Sequence, residues 1–298
     1  MSSTEALLNC CNNYILIDVG ASITNKKFTR DVDSVIQRAK DAGLQKIIVP
    51  ASSLRSSKEA LRLGKFHPGT VYSTAGIHPF ETKSWDESQM EELENILKEP
   101  ECVAVGECGL DYTKDFSPRD VQRMVFERQI ALACKIRKPL VLREKGAHED
   151  MIEILKKYKE MLPTLVIHSF IGTSEEAASY LQLDNLYIAV SGYICKDNSS
   201  NGLQKLIETG VLPLNRLLVE TDSPFLYPNA RSSKLTDSIK STFTERSIKF
   251  LERYCTFQRN EPCSLPIIVE MVAGLLNKPA EEVAIATTLN ALKVFGLS

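Results

Sequence analysis

From position 14 onward the chain alternates short apolar runs with longer stretches of helical spacing. Residues 14–18, Tyr-Ile-Leu-Ile-Asp, read as a β-branched strand closing on a carboxylate, followed by Gly20 and a polar turn. Between 31 and 42, Val32, Val35, Ile36 and Ala39 share one helical face, and Gly43 stops the helix. The same alternation predicts strands at 46–49, 71–75, 102–105, 139–142, 164–167, 186–190 and 216–219. Helices are predicted at 53–66, 86–97, 118–136, 147–157, 174–182 and 202–208. Pro118 suits a first helical turn, and Ser174-Glu175-Glu176 suit a positive helix end. A polar loop at 228–241 then precedes helices near 245–254, 265–276 and 280–294.

Eight strands, each followed by a helix or crossover, imply a parallel sheet, and in 298 residues they imply an α/β fold closed as a (β/α)8 TIM barrel. A doubly wound open sheet would call for a G-x-G-x-x-G loop, and Gly106-x-x-Gly109 is not one. No internal repeat, low-complexity tract or linker is visible. Residues 1–298 therefore read as one domain, with the barrel over about 14–224 and C-terminal helices over about 243–298.

The fourth strand carries the first chemical signal. The run Cys102–Val105 stops at Gly106, and two acids, Glu107 and Asp111, follow it, framed by glycines. Read alone, this stretch is either a solvated turn or a site, because acids beside a core are costly unless a cation or a reaction uses them. In such barrels chemistry gathers at the carboxyl ends of strands. Those positions hold Asp18, His78, Glu107, Arg143, His168 and Asp222, with Glu220 inside the last strand. A single histidine there is more often structural. Two of the chain's four histidines arriving with several carboxylates instead suit Zn, Mn or a carboxylate-held Mg. No serine has a nucleophile-elbow context and no cysteine a helix-start signature, which disfavours covalent catalysis.

Composition narrows the class only a little. Hydrophobic residues are 43% and charged residues 25%, an ordinary globular mix, and the formal net charge is −2. No global basic field points to nucleic acid, so a nucleic-acid enzyme would need local basic patches. The eight cysteines follow no metal-finger spacing and several lie in apolar runs, as expected of reduced thiols in an intracellular protein. Segment 1–13 lacks a basic region followed by an apolar one, so no signal peptide is expected. No apolar run reaches the roughly 18 residues of a membrane span. No basic nuclear-localisation cluster is evident, which leaves nucleus and cytoplasm both open.

Five motifs in order then carry a resemblance. Gly76-Ile77-His78-Pro79, Gly106-Glu107-Cys108-Gly109-Leu110-Asp111, His168-Ser169-Phe170-x-Gly172-Thr173, Glu220-Thr221-Asp222-Ser223-Pro224 and Arg259-Asn260-Glu261-Pro262 follow the order seen in TatD-type deoxyribonucleases. The opening Ile17-Asp18-Val19-Gly20-Ala21-Ser22-Ile23-Thr24 resembles the start of the TatD branch itself, and the similarity runs from about Tyr14 to the C-terminus. The resemblance implies a metal-dependent, amidohydrolase-like barrel that hydrolyses phosphodiester bonds in DNA, exonuclease-like, using one or two divalent cations (Mg, Mn or Zn). It implies metal binding by Glu107, His168 and Asp222, with His78 as a phosphate contact or proton donor. Asp222 would take the proton of the attacking water. Glu220 and Glu261 would orient the groups that hold metal, and Asp111 the loop bearing Glu107. The expected partner is DNA, single-stranded or end-bearing, with no membrane and no obligate protein partner.

Two departures qualify that picture. Relatives often carry a His-x-His pair after the first strand, where this chain has Gly20-Ala21-Ser22; the TatD branch commonly lacks it too. Relatives also end strand five on a metal-binding histidine, in a run like Leu-His-x-x-x-Ala-His-Glu. Here the run is Leu142-Arg143-Glu144-Lys145-Gly146-Ala147-His148-Glu149, and a guanidinium has no lone pair for a metal. Glu144 faces away by strand alternation, and His148 starts the next helix. Either Arg143 serves as a fixed phosphate clamp beside one metal, or the site is degraded and the protein binds nucleic acid or protein without efficient turnover. A small-molecule amidohydrolase is the third reading, although four histidines are few for one. Lys26, Lys27, Arg30, Lys114, Arg119, Lys145, Lys196, Arg231 and Lys234, in loops after strands, are candidate contacts for a nucleic-acid backbone. Phe80, Phe116, Tyr193 and Phe225 are candidates for stacking on unpaired bases; each of these side chains could equally be ordinary surface or packing.

Overall fold

The computed structural model of the protein describes residues 14–197 and 199–298. Eight strands form one sheet in sequential order: β1 Leu16–Asp18, β2 Leu44–Val49, β3 Val71–Ala75, β4 Cys102–Asp111, β5 Leu140–Lys145, β6 Leu165–Ile167, β7 Leu186–Val190 and β8 Leu217–Val219. Every neighbouring pair is parallel. Beyond the ends of β8 and β1 the barrel is drawn together by Val19 N–H to Val219 O (3.3 Å), Asp222 N–H to Gly20 O (2.8 Å) and Ser22 N–H to Ser223 O (2.8 Å). The last two bonds lie at the mouth, so closing the barrel and placing Asp222 are one event.

Burial explains why the strands read as continuous apolar runs: every residue of β3, β4, β6, β7 and β8 except Tyr72 is buried. Ile17, Val19, Ile48, Val103, Val141, Val166, Ala189 and Leu218 form one apolar cluster, joined by Ala291, Val294 and Phe295 from the C-terminal helix Ala280–Phe295. The other strand faces pack against the surrounding helices in a second, larger cluster. Helix starts follow local chemistry. Ser53 and Ser56 cap Leu54–Phe66 reciprocally, and Thr173 with Glu176 does the same for Ser174–Leu181.

Two strands run further than their apolar stretches. β4 was expected to stop at Val105, but it continues to Asp111, pairing Gly106, Cys108, Gly109, Leu110 and Asp111 with β5. The glycines are there for close approach and not for a turn: a Cβ on Gly106, at φ +140°, would lie 2.4 Å from Val141 O. Glu107 and Asp111 are thus strand residues. β5 likewise passes Leu142 and carries Arg143, Glu144 and Lys145 in regular alternation. The polar loop at 228–241 contains a short helix, Asp237–Lys240. The tail adds helices Glu245–Tyr254 and Leu265–Leu276 before the last one. No helix among the described residues is long and apolar enough to cross a membrane.

Candidate active site at the carboxyl ends of the strands

The β6 and β8 ends are joined by a compact set of bonds. His168 Nδ1 lies 2.7 Å from Glu220 Oε2, and a carboxylate there can only accept, so Nδ1 carries the proton and Nε2 is turned outward. His168 Nε2 is 3.8 Å from Asp222 Oδ1. Between them sits Ser169, whose N–H donates to Glu220 Oε1 and whose hydroxyl donates to Asp222 Oδ2 at 3.2 Å. Ser169 and Asp222 both hold left-handed backbone, at φ +48° and +50°. Such non-glycine conformations persist where the surroundings over-determine them, and they cluster at working sites.

On the other side stand β3, β4 and β5. Glu107 Oε1 is 3.7 Å from His78 Nε2 and 3.9 Å from Arg143 NH1. His78 Nδ1 accepts the Phe80 N–H at 3.1 Å, which leaves a neutral ring with its proton on Nε2, toward Glu107. Arg143 Nε donates to the fully buried Asp111 at 3.2 Å. Asp111 is itself fixed by Thr113 N–H on Oδ1 at 3.0 Å, while Gln122 bonds both its backbone N–H and its carbonyl. Lys145, two residues beyond Arg143 on the same face of β5, donates to Ser169 O at 2.8 Å.

These environments set the charges. Burial pushes the Asp222 carboxyl up to about 6; the His168 charge opposes it while Glu220 and Glu107 add to it. Burial would discharge His168, but Glu220, Glu107 and Asp222 hold the imidazolium so well that it titrates at about 10. Glu107 is pushed up by burial and pulled down by His168, His78 and Arg143, and it ends below the usual carboxylate range. Burial lowers His78, with Glu107 working against it. Burial, reinforced by Arg143, brings Lys145 down to about 8. The mouth therefore sets carboxylates against the cationic His168, Arg143 and Lys145 at close quarters.

The structure brings His78, Glu107, Arg143, His168 and Asp222 to the same end of the barrel and changes the reading of four other residues. Lys145, a candidate backbone contact in a loop by its sequence position, is instead the last residue of β5, 8% exposed and bonded to Ser169 O, because β5 is longer than its apolar run. Glu261 orients no group of the site. It is buried between Arg38 (Nε to Oε2, 2.8 Å) and Arg259, tying the tail to helix Val32–Asp41. Its neighbour Asn260 does that work, donating to Thr221 O at 3.1 Å just before Asp222. Asp18 faces the strand-eight turn, accepting from Thr221 N–H (3.0 Å) and Thr221 Oγ1 (2.6 Å), and does not reach the opening. Asp111 holds Arg143 itself. Ser169 was missed as a position of consequence; its place directly after the histidine of strand six was the available signal.

Phe80 and Phe116 form an edge-to-face relay outward from His78, with ring centroids 4.8 and 4.9 Å apart. Phe116 and Phe225 are more than half exposed. Tyr193 packs half-buried against the core. Lys26, Lys27, Arg30, Lys114, Arg119, Lys196, Arg231 and Lys234 are exposed.

Among the described residues no three His, Cys, Asp or Glu side chains converge closely enough to enclose a metal ion. The donor chemistry does fit a single divalent cation. Glu107 Oε1 is buried without a hydrogen-bond partner, and Glu220 on Nδ1 leaves His168 Nε2 free to serve as a ligand beside Asp222. A second cation has no imidazole to meet it on β5, where Arg143 stands.

The family model described as TatD related DNase matches residues 17–296. The chain is 35% identical over 282 residues to the 3'-5' ssDNA/RNA exonuclease TatD of Erwinia tasmaniensis, covering 95% of this chain and 100% of that one. It is 36% identical over 283 residues to the protein of that name from Edwardsiella piscicida, with the same coverage. The crystal structure of YJJV, a TatD homologue from Escherichia coli K12, superimposes with a TM-score of 0.79 at 27% identity, covering 95% of this chain and 98% of that one. The protein is a TIM-barrel hydrolase that belongs to the TatD-related DNase family.

Proposed function

We propose that the protein is a metal-dependent nuclease that removes nucleotides from the ends of single-stranded DNA, with RNA as a second substrate. Its working residues would be Glu107, His168 and Asp222 for one divalent cation, and Arg143 and His78 for the phosphate. The observation that carries this reading is the His168–Asp222 pair within the electrostatic reach of Glu107, with the Arg143 guanidinium held beside Glu107 by Asp111. The names of the relatives support the substrate class.

A divalent cation held there would supply Lewis-acid activation of a water. The chain's own groups do the rest. Asp222 accepts the proton of the attacking water at Oδ1, the oxygen not engaged by Ser169. Arg143, anchored through Nε, turns its NH1 end toward the non-bridging phosphate oxygens and stabilises the charge that develops on them. His78, neutral and carrying its proton on Nε2, donates to phosphate or to the leaving oxygen.

Arg143 NH1 close to Glu107 Oε1 also favours a second reading, in which the guanidinium occupies cation space and the protein binds nucleic acid without efficient turnover. The test is metal analysis of the purified protein with degradation of labelled single-stranded DNA and RNA, with and without chelator. Chelator-sensitive shortening from one end is expected. Tight binding without shortening favours the second reading, and neither binding nor shortening leaves a small-molecule amidohydrolase.

A further inference from the structure

Lys145 has no part in the chemistry so far, yet it is a lysine with 8% exposure whose ammonium points into the barrel mouth. Its bond is to the carbonyl of Ser169, at 2.8 Å. Ser169 spends every polar group it has on the site: N–H on Glu220, hydroxyl on Asp222, carbonyl on Lys145. Glu220 in turn fixes the His168 ring through Nδ1 at 2.7 Å. Ser169 does all this at φ +48°, a conformation a serine leaves readily unless something holds it. Ser169 is 2% exposed and its carbonyl accepts no other hydrogen bond among the described residues, so without Lys145 it would be a buried acceptor left unpaired.

We propose that Lys145 is a positioning residue for the active centre: its ammonium straps Ser169 in the left-handed conformation, and Ser169 thereby fixes both the His168 ring and the Asp222 carboxylate. This inference rests on the proposed function for its catalytic consequence but not for its structural one. The strap joins β5 to the β6 turn, and the β6 turn to β8, so one cation on strand five sets the geometry of two other strand ends. Arg143 and Lys145 divide the labour on one strand face. The first is turned toward substrate, and the second toward the frame.

The test is Lys145→Met, with Lys145→Arg as the conservative variant and Ser169→Gly as a background that needs no strap. Three quantities are read: the His168 Nδ1–H proton resonance, Mn2+ affinity by calorimetry, and kcat against KM on single-stranded DNA. In Lys145→Met the resonance is expected to broaden or move upfield, and Mn2+ affinity and kcat to fall about 10- to 100-fold. KM should change little, and Lys145→Arg should recover part of the loss. Glycine adopts positive φ without strain, so Lys145→Met should cost far less in the Ser169→Gly background than in the native one. An unchanged resonance in Lys145→Met overturns the proposal, as does an equal cost in both backgrounds. A rise in KM with kcat and the resonance intact also overturns it, because Lys145 is then a substrate contact. If the native protein cuts no nucleic acid, the proposed function fails while the resonance and the two-background comparison still decide the strap. If Lys145→Met does not fold, Lys145→Gln replaces it in the same comparison.

Discussion

Arg143 rests its Nε on Asp111 at 3.2 Å and keeps NH1 3.9 Å from Glu107, beyond hydrogen-bond reach. The buried aspartate takes one edge of the guanidinium and leaves the other toward the opening. An arginine that merely filled space lost by a histidine would have been free to collapse onto Glu107, whose Oε1 lacks any partner. Tethered in this way, its free edge is preorganised to donate hydrogen bonds to an anion, as the proposed phosphate clamp requires.

Arg143→Ala should therefore lower kcat/KM on single-stranded DNA by about 10²–10³-fold, the usual cost of removing one charge-stabilising donor. Arg143→Lys should recover little, because a point charge cannot reproduce the fork. Arg143→His is expected to fall below the native rate. A rise by orders of magnitude instead would mark Arg143 as a lesion.

Glu107→Ala and Asp222→Ala should both abolish turnover, and a chelator should do the same to the native protein, reversibly on adding Mn2+ or Mg2+. Each is read as product formed from an end-labelled oligonucleotide. A fully active Asp222→Ala sinks the proton-acceptor role.

The pH dependence follows from His168. Its folded pKa of about 10 lies above the ordinary value of about 6.5, so the metal-free fold binds the extra proton. That contribution to stability is complete below about pH 6.5 and is lost as pH rises toward 10. A cation on His168 must displace the same proton. Between pH 7 and 9, Mn2+ binding should release a proton and tighten by up to about tenfold per pH unit, measured by calorimetry in buffers of different ionisation enthalpy. Binding that is indifferent to pH would take His168 out of the ligand set.

Glu261→Ala should cost about 3 kcal/mol of stability, since it leaves Arg38 and Arg259 without the carboxylate they share. Asp31 still pairs with both arginines, which keeps the loss toward the lower end. The melting temperature should drop by about 6 °C, with residual activity at low temperature. An inactive variant of native stability would return Glu261 to the site.

Phe116→Ala and Phe225→Ala should each raise KM for single-stranded DNA about fivefold or more, with a smaller effect on duplex, because only unpaired bases present a free face. Equal effects on both substrates would argue against stacking.

The sequence by itself determined the barrel. Strand and helix periods are local, and eight alternations of buried runs with amphipathic stretches leave few ways to bury that much apolar surface. It also delivered His78, Glu107, His168 and Asp222, because side chains that follow apolar strands must emerge at one mouth, whatever each strand's length. Tertiary structure decided what those groups meet. How far β4 and β5 extend depends on their pairing with each other, and only that pairing turned Lys145 from a loop residue into a strand residue bonded inside the mouth. Glu261 finds Arg38 across 223 residues, a relation no local pattern encodes. The left-handed turn at Ser169 is met by a donor from β5 and by acceptors from the end of β8, two strands distant in sequence from it. Burial is written along a chain; the partner of a buried charge is chosen only when the strands close.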